Sequence, residues 1–557
     1  MTDDVGGQLE TVAPRRSLFG PDYARLAILL AVGAAVHYWL VAHTAIPARD
    51  ALAYTRIALN LSHPNAAVVD GPPRQRIEVV RDSIHPPGYP VAIWMTEKLL
   101  RGFTDKSLAE RGLLAAQVAN AIAGVLLVVP LYLIGRILFG RDVGFAGALL
   151  FQVLPVPAGM TSDGLSEGLY LLATAVAVLL AVRAARRPGV GGFLLCGLAT
   201  GASYLVRPEG LLVVFATGAV IVASALTRRW PRDLALGRLA ALGVGVALVA
   251  VPYMLLIGKL SNKTTSEYLM DPLNKNRGRL GLWDVREEGR AAAARGPLFA
   301  AWWNPEKDAG TNKQLWAVGA VWSEVAKSVH YVVGALALFG LFARRRQLFA
   351  PDPGLWVLVA LGSLNLLLLV YLAACAGYVS ERHTVLFVMV TCVLAAAAIE
   401  PLAHAITAAP VLDRLVLWPK GMPATILLVL VTSALPYTLK PLHAHREGHK
   451  HAGLWLAENM KPDDHLIDPL SWAEWYAGKT LYRSAEYKGK PEHVWVVVER
   501  GKGSPHSRLP QWEHAVGVTL DQRRKPAYRW PETAPPEGPA VEVYRLKHEE
   551  AFPPAAK

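Results

Sequence analysis

Apolar residues fall into long blocks along this chain, separated by short polar stretches. The block 26–46 holds no formally charged residue and matches the ~20 residues that a helix needs to cross a bilayer core. The full set of such blocks is 26–46, 115–135, 143–157, 164–182, 192–206, 210–226, 239–257, 329–343, 355–374, 384–402 and 423–438. The pattern predicts an α-helical polytopic membrane protein with about 11 transmembrane helices, two of them (143–157 and 192–206) short.

Composition agrees with lipid as the solvent. Of the 557 residues, 53% are hydrophobic and 18% are charged, whereas soluble domains carry about 25% charged residues. The net charge of +13 would suit nucleic acid, but the basic residues are spread along the whole chain. We therefore expect membrane lipid, and no nucleic acid, among the partners.

Basic residues cluster on one side of the membrane if the blocks are counted as spans. The clusters are Arg15 with Arg16 and Arg25, Arg136 with Arg141, Arg183 with Arg186 and Arg187, Arg228 with Arg229, Arg232 and Arg238, Arg344 with Arg345 and Arg346, and Arg414 with Lys420. Positive charge favours the cytoplasmic side. The clusters predict a multi-pass protein of the cell (inner) membrane, with a cytoplasmic amino terminus and an extracytoplasmic carboxyl terminus.

This topology divides the chain into three parts. Residues 1–23 form a cytoplasmic segment, 24–439 a transmembrane domain with outer loops at 47–112 and 258–328, and 440–557 an extracytoplasmic domain. Because most of the polar sequence lies in those loops and in the last domain, we expect the work of the protein to be done outside.

The last domain has the pattern of a small α/β unit. Helical spacing runs from His443 to Asn459, and strand-like runs follow at 495–498, 516–520 and 541–544. Two alternatives remain open for its aromatic residues Trp472, Trp475 and Tyr476, which could stack on a sugar or pack a core. His443, His445, His449 and His451 could hold a metal, although a solvated juxtamembrane helix accounts for them better.

The first candidate for chemistry is Asp50, just outside the first span. Tyr54, Ile57, Ala58 and Leu61 have helical apolar spacing, which predicts an amphipathic helix along the membrane surface. Asp50 stands where the N-cap of that helix belongs. A capped carboxylate would be held rigidly at the lipid–water boundary.

Arg81 and His85 belong to a second polar segment, which ends in His-Pro-Pro-Gly-Tyr-Pro at 85–90. The paired prolines fix an extended approach to the next helix. The segment supplies cations beside the membrane, for a substrate phosphate or for anionic head groups.

Three further motifs lie on the predicted outer side. Asp163 and Glu167 are four residues apart, which predicts one shared helix face able to hold a sugar hydroxyl or a divalent cation, or to complement the helix dipole. Arg207 precedes Pro208, a residue that suits a helix start. Arg382 stands at the outer mouth of the tenth block. Both arginines could bind phosphate or extend to the interface.

The order of these motifs resembles that of the GT-C glycosyltransferases. The resemblance rests on an Asp and a Tyr-bearing helix after the first span, then His-Pro-Pro-Gly-Tyr-Pro, Ser-Glu-x-x-Tyr and Arg-Pro-Glu-Gly. It covers about residues 20–230 and resumes at 382–383 and 449–462. The branch that it resembles most contains the protein O-mannosyltransferases and the lipid A aminoarabinose transferases.

The resemblance implies a GT-C-like fold, a polyprenyl-phosphate-sugar donor and a catalytic carboxylate in the outer loop, matched by Asp50. It also implies a lipid, polysaccharide or protein acceptor in the cell envelope. The residues then expected to bind substrate are Tyr54, Arg81, His85, Asp163, Glu167, Arg207 and Arg382. No metal ligands are assigned and no cofactor is required, although a divalent cation stays open. The chain departs from the pattern at Ala51, His85 and His383, where relatives carry an acid, a Lys and a Tyr.

The resemblance thus implies a hexosyl- or pentosyltransferase. In such a reaction Asp50 would accept the proton of an acceptor hydroxyl, and the cations would neutralise the departing phosphate. The alternative is a transporter or flippase of a lipid-linked saccharide, for which ionisable residues at mid-membrane and inverted repeats are typical. A third interpretation is a non-catalytic membrane scaffold whose last domain binds a partner.

Overall fold

Helices dominate the computed structural model, which describes residues 22–62, 75–263, 300–303, 312–346, 350, 352–408, 421–461, 463–478, 491–500, 519, 524–535 and 539–552. The helices of the first half are α1 Tyr23–Ala42, α2 Arg49–Ser62, α3 Arg76–Asp82, α4 Gly88–Leu100, α5 Leu108–Leu126, α6 Val128–Phe139, α7 Arg141–Val153, α8 Pro155–Ser162, α9 Glu167–Arg186, α10 Val190–Val206, α11 Leu212–Leu226 and α12 Arg232–Ile257. Those of the second half are α13 Lys313–Ser328, α14 Val332–Ala343, α15 Pro353–Ala376, α16 Glu381–Thr407, α17 Met422–Thr438, α18 Glu447–Asn459, α19 Trp472–Tyr476 and α20 His548–Ala551. Short 3₁₀ helices span Pro208–Leu211 and Ala444–Arg446.

The polytopic membrane architecture is confirmed. Among the described residues, 7 helical segments are long and apolar enough to cross a membrane, or up to 9 if α7 with α8 and α13 with α14 each form one bent span. The two pairs bend by 67° and 104°, and α10 and α17 are shorter apolar helices of 17 residues each. Each predicted block therefore has a helical counterpart, but the count of 11 is not confirmed, because length alone does not establish that the short and bent helices span.

Contacts between the basic clusters bring them to one end of the helix bundle. Arg25 pairs with Asp142 at 2.7 Å, beside Arg141. Arg186 pairs with Asp352 and also contacts Ile137 O. We call this the arginine end. The other end, which carries α2 and the C-terminal domain, we call the Asp50 end.

The C-terminal domain is built on a four-stranded sheet, as an α/β unit should be. Its strands are β3 His465–Ile467, β4 His493–Arg500, β5 Tyr528–Trp530 and β6 Ala540–Lys547, in the order β3-β4-β6-β5. Only the β3–β4 pair is parallel. The predicted runs 495–498 and 541–544 lie in β4 and β6, and most of 516–520 lies outside the described residues. The predicted helix from His443 divides into the 3₁₀ turn and α18.

A two-stranded antiparallel ribbon joins the segment between α12 and α13 to the start of α16. Its strands are β1 Ala300–Trp302 and β2 Tyr378–Ser380, with Ala301 opposite Val379. Since β2 ends directly before α16, the ribbon fixes the first turn of that helix, where Arg382 lies.

The domain docks on the membrane bundle through an apolar cluster around α2 and α5. Trp472 and Trp475 of α19 are fully buried there, against Ala51, Leu52 and Leu113 among others. Their indole N–H groups donate to Pro47 O at 3.1 Å and to Ala109 O at 3.2 Å. Replacing a buried tryptophan by alanine costs about 3–5 kcal/mol. Of the two alternatives for these residues, core packing is the one observed, at the junction of the two domains.

Candidate functional site

The site is built at the Asp50 end, around the first turn of α2. This helix begins at Arg49, so Asp50 lies in its first turn and the predicted N-cap position is wrong. The first residue is set by the hydrogen bond from Ala51 N to Ala48 O. A carboxylate in the first turn still complements the helix dipole. The predicted apolar stripe is present, since Tyr54, Ala58 and Leu61 are buried.

Six side chains of alternating sign contact one another in sequence from Asp50 inward. Arg382 donates to Asp50 Oδ2 through Nη1 and to Glu167 Oε1 through Nε. Arg207 donates through Nη1 to the same Glu167 oxygen. We call the complete set the charge chain. Its members are Asp50, Arg382, Glu167, Arg207, Glu209 and Lys263.

The inner end of the charge chain was missed by sequence reasoning. Glu209 Oε1 accepts from Arg207 Nη2 at 3.2 Å and from Lys263 Nζ at 3.0 Å. Glu209 belongs to the motif around Arg207 and could have been selected with it. Lys263 lies six residues beyond α12, in a loop that carries many other Lys and Arg residues. No local signal distinguishes it from them.

The side chains in the middle of the charge chain are the most deeply buried. The side chains of Glu167 and Arg207 are 0% and 8% exposed, whereas 51% of the Asp50 side chain is accessible. Glu167 Oε2 is buried and has no hydrogen-bond partner among the described residues. The charge chain therefore has an accessible carboxylate at one end, that of Asp50. In its middle it has a buried acceptor, Glu167 Oε2, without a hydrogen-bond partner among the described residues.

Charge, rather than burial, decides the protonation of Asp50. Burial by itself would raise its pKa, but the charge and hydrogen bond of Arg382, with smaller effects of His85 and Arg49, lower the pKa from 3.8 to about 2. Asp50 is thus a carboxylate throughout the physiological range, and Arg382 weakens its basicity.

His85 lies against the same turn of α2. Its ring is 4.3 Å from that of Tyr54, whose hydroxyl is 3.2 Å from Ser166 Oγ. Burial, followed by the nearby charge of Lys263, lowers the pKa of His85 from 6.5 to about 3. His85 is neutral at pH 7, so it can offer a hydrogen bond to an anion but not a charge.

Arg81 is the predicted site residue that the structure does not bring to the charge chain. It lies in the last turn of α3, half exposed, and pairs with its neighbour Asp82 at 2.8 Å. Asn262, next to Lys263, donates to the carbonyl oxygens of Arg81 and Ser83 at 2.8 Å each. The backbone of this segment, rather than the Arg81 guanidinium, is therefore tied to the site.

Asp163 and Glu167 do not share a helix face, contrary to the prediction. Asp163 follows the last residue of α8 in an extended conformation, and Glu167 begins α9. The turn between them separates the two carboxylates. Asp163 Oδ1 accepts from Ala48 N at 2.8 Å and Gly164 N at 2.7 Å. Its Oδ2 lies 2.7 Å from His443 Nε2.

These contacts bear on the divalent cation that the sequence left open. Arg382 stands between Asp50 and Glu167, the place that a cation shared by these carboxylates would take. In the described part of the chain, no group of three or more His, Cys, Asp or Glu side chains could hold a metal ion. The histidines after α17 diverge: His449 contacts Glu499 at 3.2 Å and His451 stacks on Trp530. As arranged, the residues do not fit a metal.

Comparison with known proteins bears on the fold. The sequence profile of the dolichyl-phosphate-mannose-protein mannosyltransferase family matches residues 85–255, well under half of the chain. A search of curated protein sequences gave no match. ArnT from Cupriavidus metallidurans, bound to undecaprenyl phosphate, superposes with a TM-score of 0.56 and 13% identity over 93% of this chain and 98% of that one. The chain has the GT-C fold.

A second similar GT-C structure is that of a longer protein. The oligosaccharyltransferase AglB from Archaeoglobus fulgidus, in complex with an inhibitory peptide and a dolichol-phosphate, gives a TM-score of 0.51 at 12% identity. The match covers 82% of this chain and 64% of AglB, so AglB has a large part without a counterpart here. The GT-C fold expected from the motifs is confirmed, and the particular branch stays a prediction.

Proposed function

We propose that the protein is a membrane glycosyltransferase that moves a sugar from a polyprenyl-phosphate-linked donor to a hydroxyl acceptor on the non-cytoplasmic face. The observation that carries the proposal is the charge chain, which sets an accessible carboxylate, Asp50, beside a run of cations. Transfer from a sugar phosphate needs both, a base for the acceptor and positive charge for the leaving group.

The GT-C fold supports a lipid-linked donor. The ArnT structure contains undecaprenyl phosphate and the AglB structure a dolichol-phosphate. Both ligands carry a phosphate, and Arg382, Arg207 and Lys263 supply the positive charge that would bind such a phosphate in this chain. The acceptor, whether lipid, polysaccharide or protein, and the choice of hexose or pentose stay open.

The reaction balances as a substitution at the anomeric carbon. The acceptor oxygen forms a bond to that carbon while the bond to the phosphate oxygen breaks. The acceptor proton passes to Asp50, and the electron pair of the broken bond leaves with the polyprenyl phosphate. Arg382, Arg207 and Lys263 offset the charge that develops on that phosphate, and neutral His85 offers it a hydrogen bond.

Binding of the donor would make Asp50 a stronger base. A donor phosphate competes with Asp50 for the Arg382 guanidinium, because both are anions at one edge of the same group. When Arg382 turns to the phosphate, the pKa of Asp50 rises toward its ordinary value and the carboxylate becomes a better base. Glu167 Oε2 stays available to accept from a hydroxyl of the sugar.

The test replaces Asp50 by Asn in the full chain, purified in lipid nanodiscs. Polyprenyl-phosphate mannose and polyprenyl-phosphate aminoarabinose serve as donors, and membranes from a strain lacking the protein supply acceptors. Released polyprenyl phosphate is measured by mass spectrometry. The amide keeps the size of the side chain but cannot take the proton, so we expect a loss of ~10²-fold or more.

Asp105→Asn is the matched control, since Asp105 is exposed in the same outer loop. It should transfer at the wild-type rate. Near-normal transfer by a folded Asp50→Asn protein would remove Asp50 from the mechanism. Transfer of intact donor across the membrane without release of polyprenyl phosphate would favour the flippase alternative instead.

A further inference from the structure

The short segment that leads into Asp50 is tied down at three successive points. Ala45 N donates to Leu442 O at 3.1 Å, Pro47 O accepts from Trp472 Nε1 at 3.1 Å, and Ala48 N donates to Asp163 Oδ1 at 2.8 Å. Two of the three partners, Leu442 and Trp472, come from the chain beyond the last span. The C-terminal region therefore holds the start of α2.

Asp163 is itself held from both sides. Its Oδ1 takes the two backbone N–H groups of Ala48 and Gly164, and its Oδ2 contacts His443 Nε2 at 2.7 Å. Only 4% of the Asp163 side chain is exposed. With both oxygens engaged by protein groups, Asp163 is suited to transmit the position of His443 to Ala48 rather than to bind a substrate.

Two residues of the C-terminal region, His443 and Trp472, anchor this segment, and the backbone has a positive φ at or directly before each of them. His443 has φ 52°, and Ser471, directly before Trp472, has φ 65°. Left-handed conformations are uncommon for residues other than glycine and persist when surrounding contacts enforce them. The chain thus adopts a strained turn at each place where it reaches toward the segment before Asp50.

Close packing restricts movement at the start of α2. A Cβ on Gly164 would lie 2.6 Å from Ala51 Cβ, so only glycine lets the Asp163 turn approach α2 this closely. Trp472 is fully buried in the apolar cluster that contains Ala51 and Leu52 of the same helix. Movement of the first turn of α2 is therefore opposed by both contacts.

We propose that His443 and Trp472 are positioning residues for the reaction at Asp50, His443 acting through Asp163 and Ala48, and Trp472 through Pro47. The inference rests on the proposed function of Asp50. It makes the C-terminal domain a working part of the active site rather than a separate binding module. A catalytic group displaced by 1 Å can lose about 10²-fold in rate, so the loss of either anchor should lower turnover.

The test uses two conservative variants of the full chain. His443→Asn keeps a residue that tolerates a left-handed backbone but is too short to reach Asp163. Trp472→Phe keeps most of the apolar bulk and removes the donor to Pro47. His445→Ala is the matched control, because His445 is exposed and lies in the 3₁₀ turn that directly follows His443.

We expect each variant to lower kcat by about tenfold or more, with the KM for the lipid-linked sugar changed by less than about twofold. Binding of undecaprenyl phosphate should stay as in the wild type, because neither anchor touches the charge chain. Hydrogen exchange of the backbone over 45–54 should quicken in both variants and not in the control.

Wild-type kcat in both variants, with Asp50→Asn inactive, would overturn the positioning role and leave the proposed function intact. A matched fall in undecaprenyl phosphate binding would also overturn it, because it would place the anchors in substrate binding. If Asp50→Asn were fully active, Asp50 would have no part in the mechanism, and unchanged exchange over 45–54 in both variants would then reject the anchoring independently.

Discussion

The two ends of the helix bundle both carry many charges, but they organise them differently. At the Asp50 end, six charged side chains form one connected series. At the arginine end, the pairs Arg25–Asp142, Arg186–Asp352 and Arg344–Glu400 stand apart from one another, and only Asp22 is shared, by Arg136 and Arg141. These contacts are those of the described part of the chain.

Burial gives the difference its meaning. At the arginine end, Asp142 is 92% and Glu400 63% exposed, and exposed pairs contribute about 0–1 kcal/mol. Asp22 is the exception at that end, since it is buried and pairs with Arg136 and Arg141. Glu167 at the Asp50 end is fully buried, and removing one partner of a buried pair costs about 3–5 kcal/mol. Positive-inside insertion accounts for isolated arginines. It does not account for a buried alternating series, which is better explained by a ligand that the series must recognise.

The first prediction concerns the compartments that the two ends of the bundle face. A reporter that is active only outside the cytoplasm should be active when fused after Lys440 and silent when fused after Arg346. The expected contrast is all or none, since the arginine clusters set the orientation. The reverse pattern would place Asp50 and the whole charge chain on the cytoplasmic side.

The second prediction compares one arginine from each end. Arg382→Gln should lower kcat/KM by about 10²-fold, because it removes a preorganised cation from the leaving phosphate. Arg186→Gln removes a carboxylate partner at the arginine end and should change kcat/KM by less than about twofold. Initial rates over a range of donor concentrations give both values.

Folding is controlled with Arg382→Lys. It keeps a positive charge between Asp50 and Glu167 but loses the planar fork that reaches both, so it should be better folded than Arg382→Gln and still slow. Equal rates for Arg382→Gln and Arg186→Gln would make Arg382 an interfacial anchor and end the distinction between the two ends.

The sequence predicts features that depend on local patterns, but not contacts between residues that are far apart along the chain. The spans follow from apolar blocks, and Asp50, Glu167, Arg207 and Arg382 were each picked out by a local motif. What no local pattern contains is their pairing. Asp50 and Arg382 are 332 residues apart, and the contact between them depends on how α2 and α16 pack.

The missed features have the same origin. Asp163 was interpreted from its spacing to Glu167, whereas its partner His443 is 280 residues away. Trp472 left two alternatives open because its burial depends on α2 as well as on its own domain. Arg81 shows the opposite error. Its motif lies beside the site, but its own guanidinium pairs with Asp82 instead.

The third prediction uses pH to test whether burial at the Asp50 end is as deep as the contacts indicate. The pKa of His85 is lowered from 6.5 to about 3, so its contribution to stability is complete above pH 6.5 and is lost as the pH falls toward 3. The contribution of Asp50, with a pKa of about 2 against 3.8, is lost only below pH 3.8.

We therefore expect the unfolding temperature to fall between pH 7 and pH 4, and His85→Gln to remove part of that fall. Arg186→Gln should leave the slope between pH 7 and pH 4 unchanged, because the pKa of Asp352 beside Arg186 is itself lowered from 3.8. Thermal unfolding in nanodiscs at several pH values measures both slopes. Parallel curves for wild type and His85→Gln would contradict the burial of His85.

The smallest effect is expected at the pair Arg25–Asp142. Because Asp142 is almost fully exposed, water and salt screen the attraction, and Arg25→Gln should change the free energy of unfolding by about 0–1 kcal/mol. The change should shrink further at high salt, and the rate of sugar transfer should stay within about twofold of the wild type. Unfolding curves at two salt concentrations and one transfer assay are sufficient. A loss of transfer as large as that of Arg382→Gln, in a protein that remains folded, would show that the arginine end is coupled to the reaction, and the contrast between a structural and a chemical end would no longer hold.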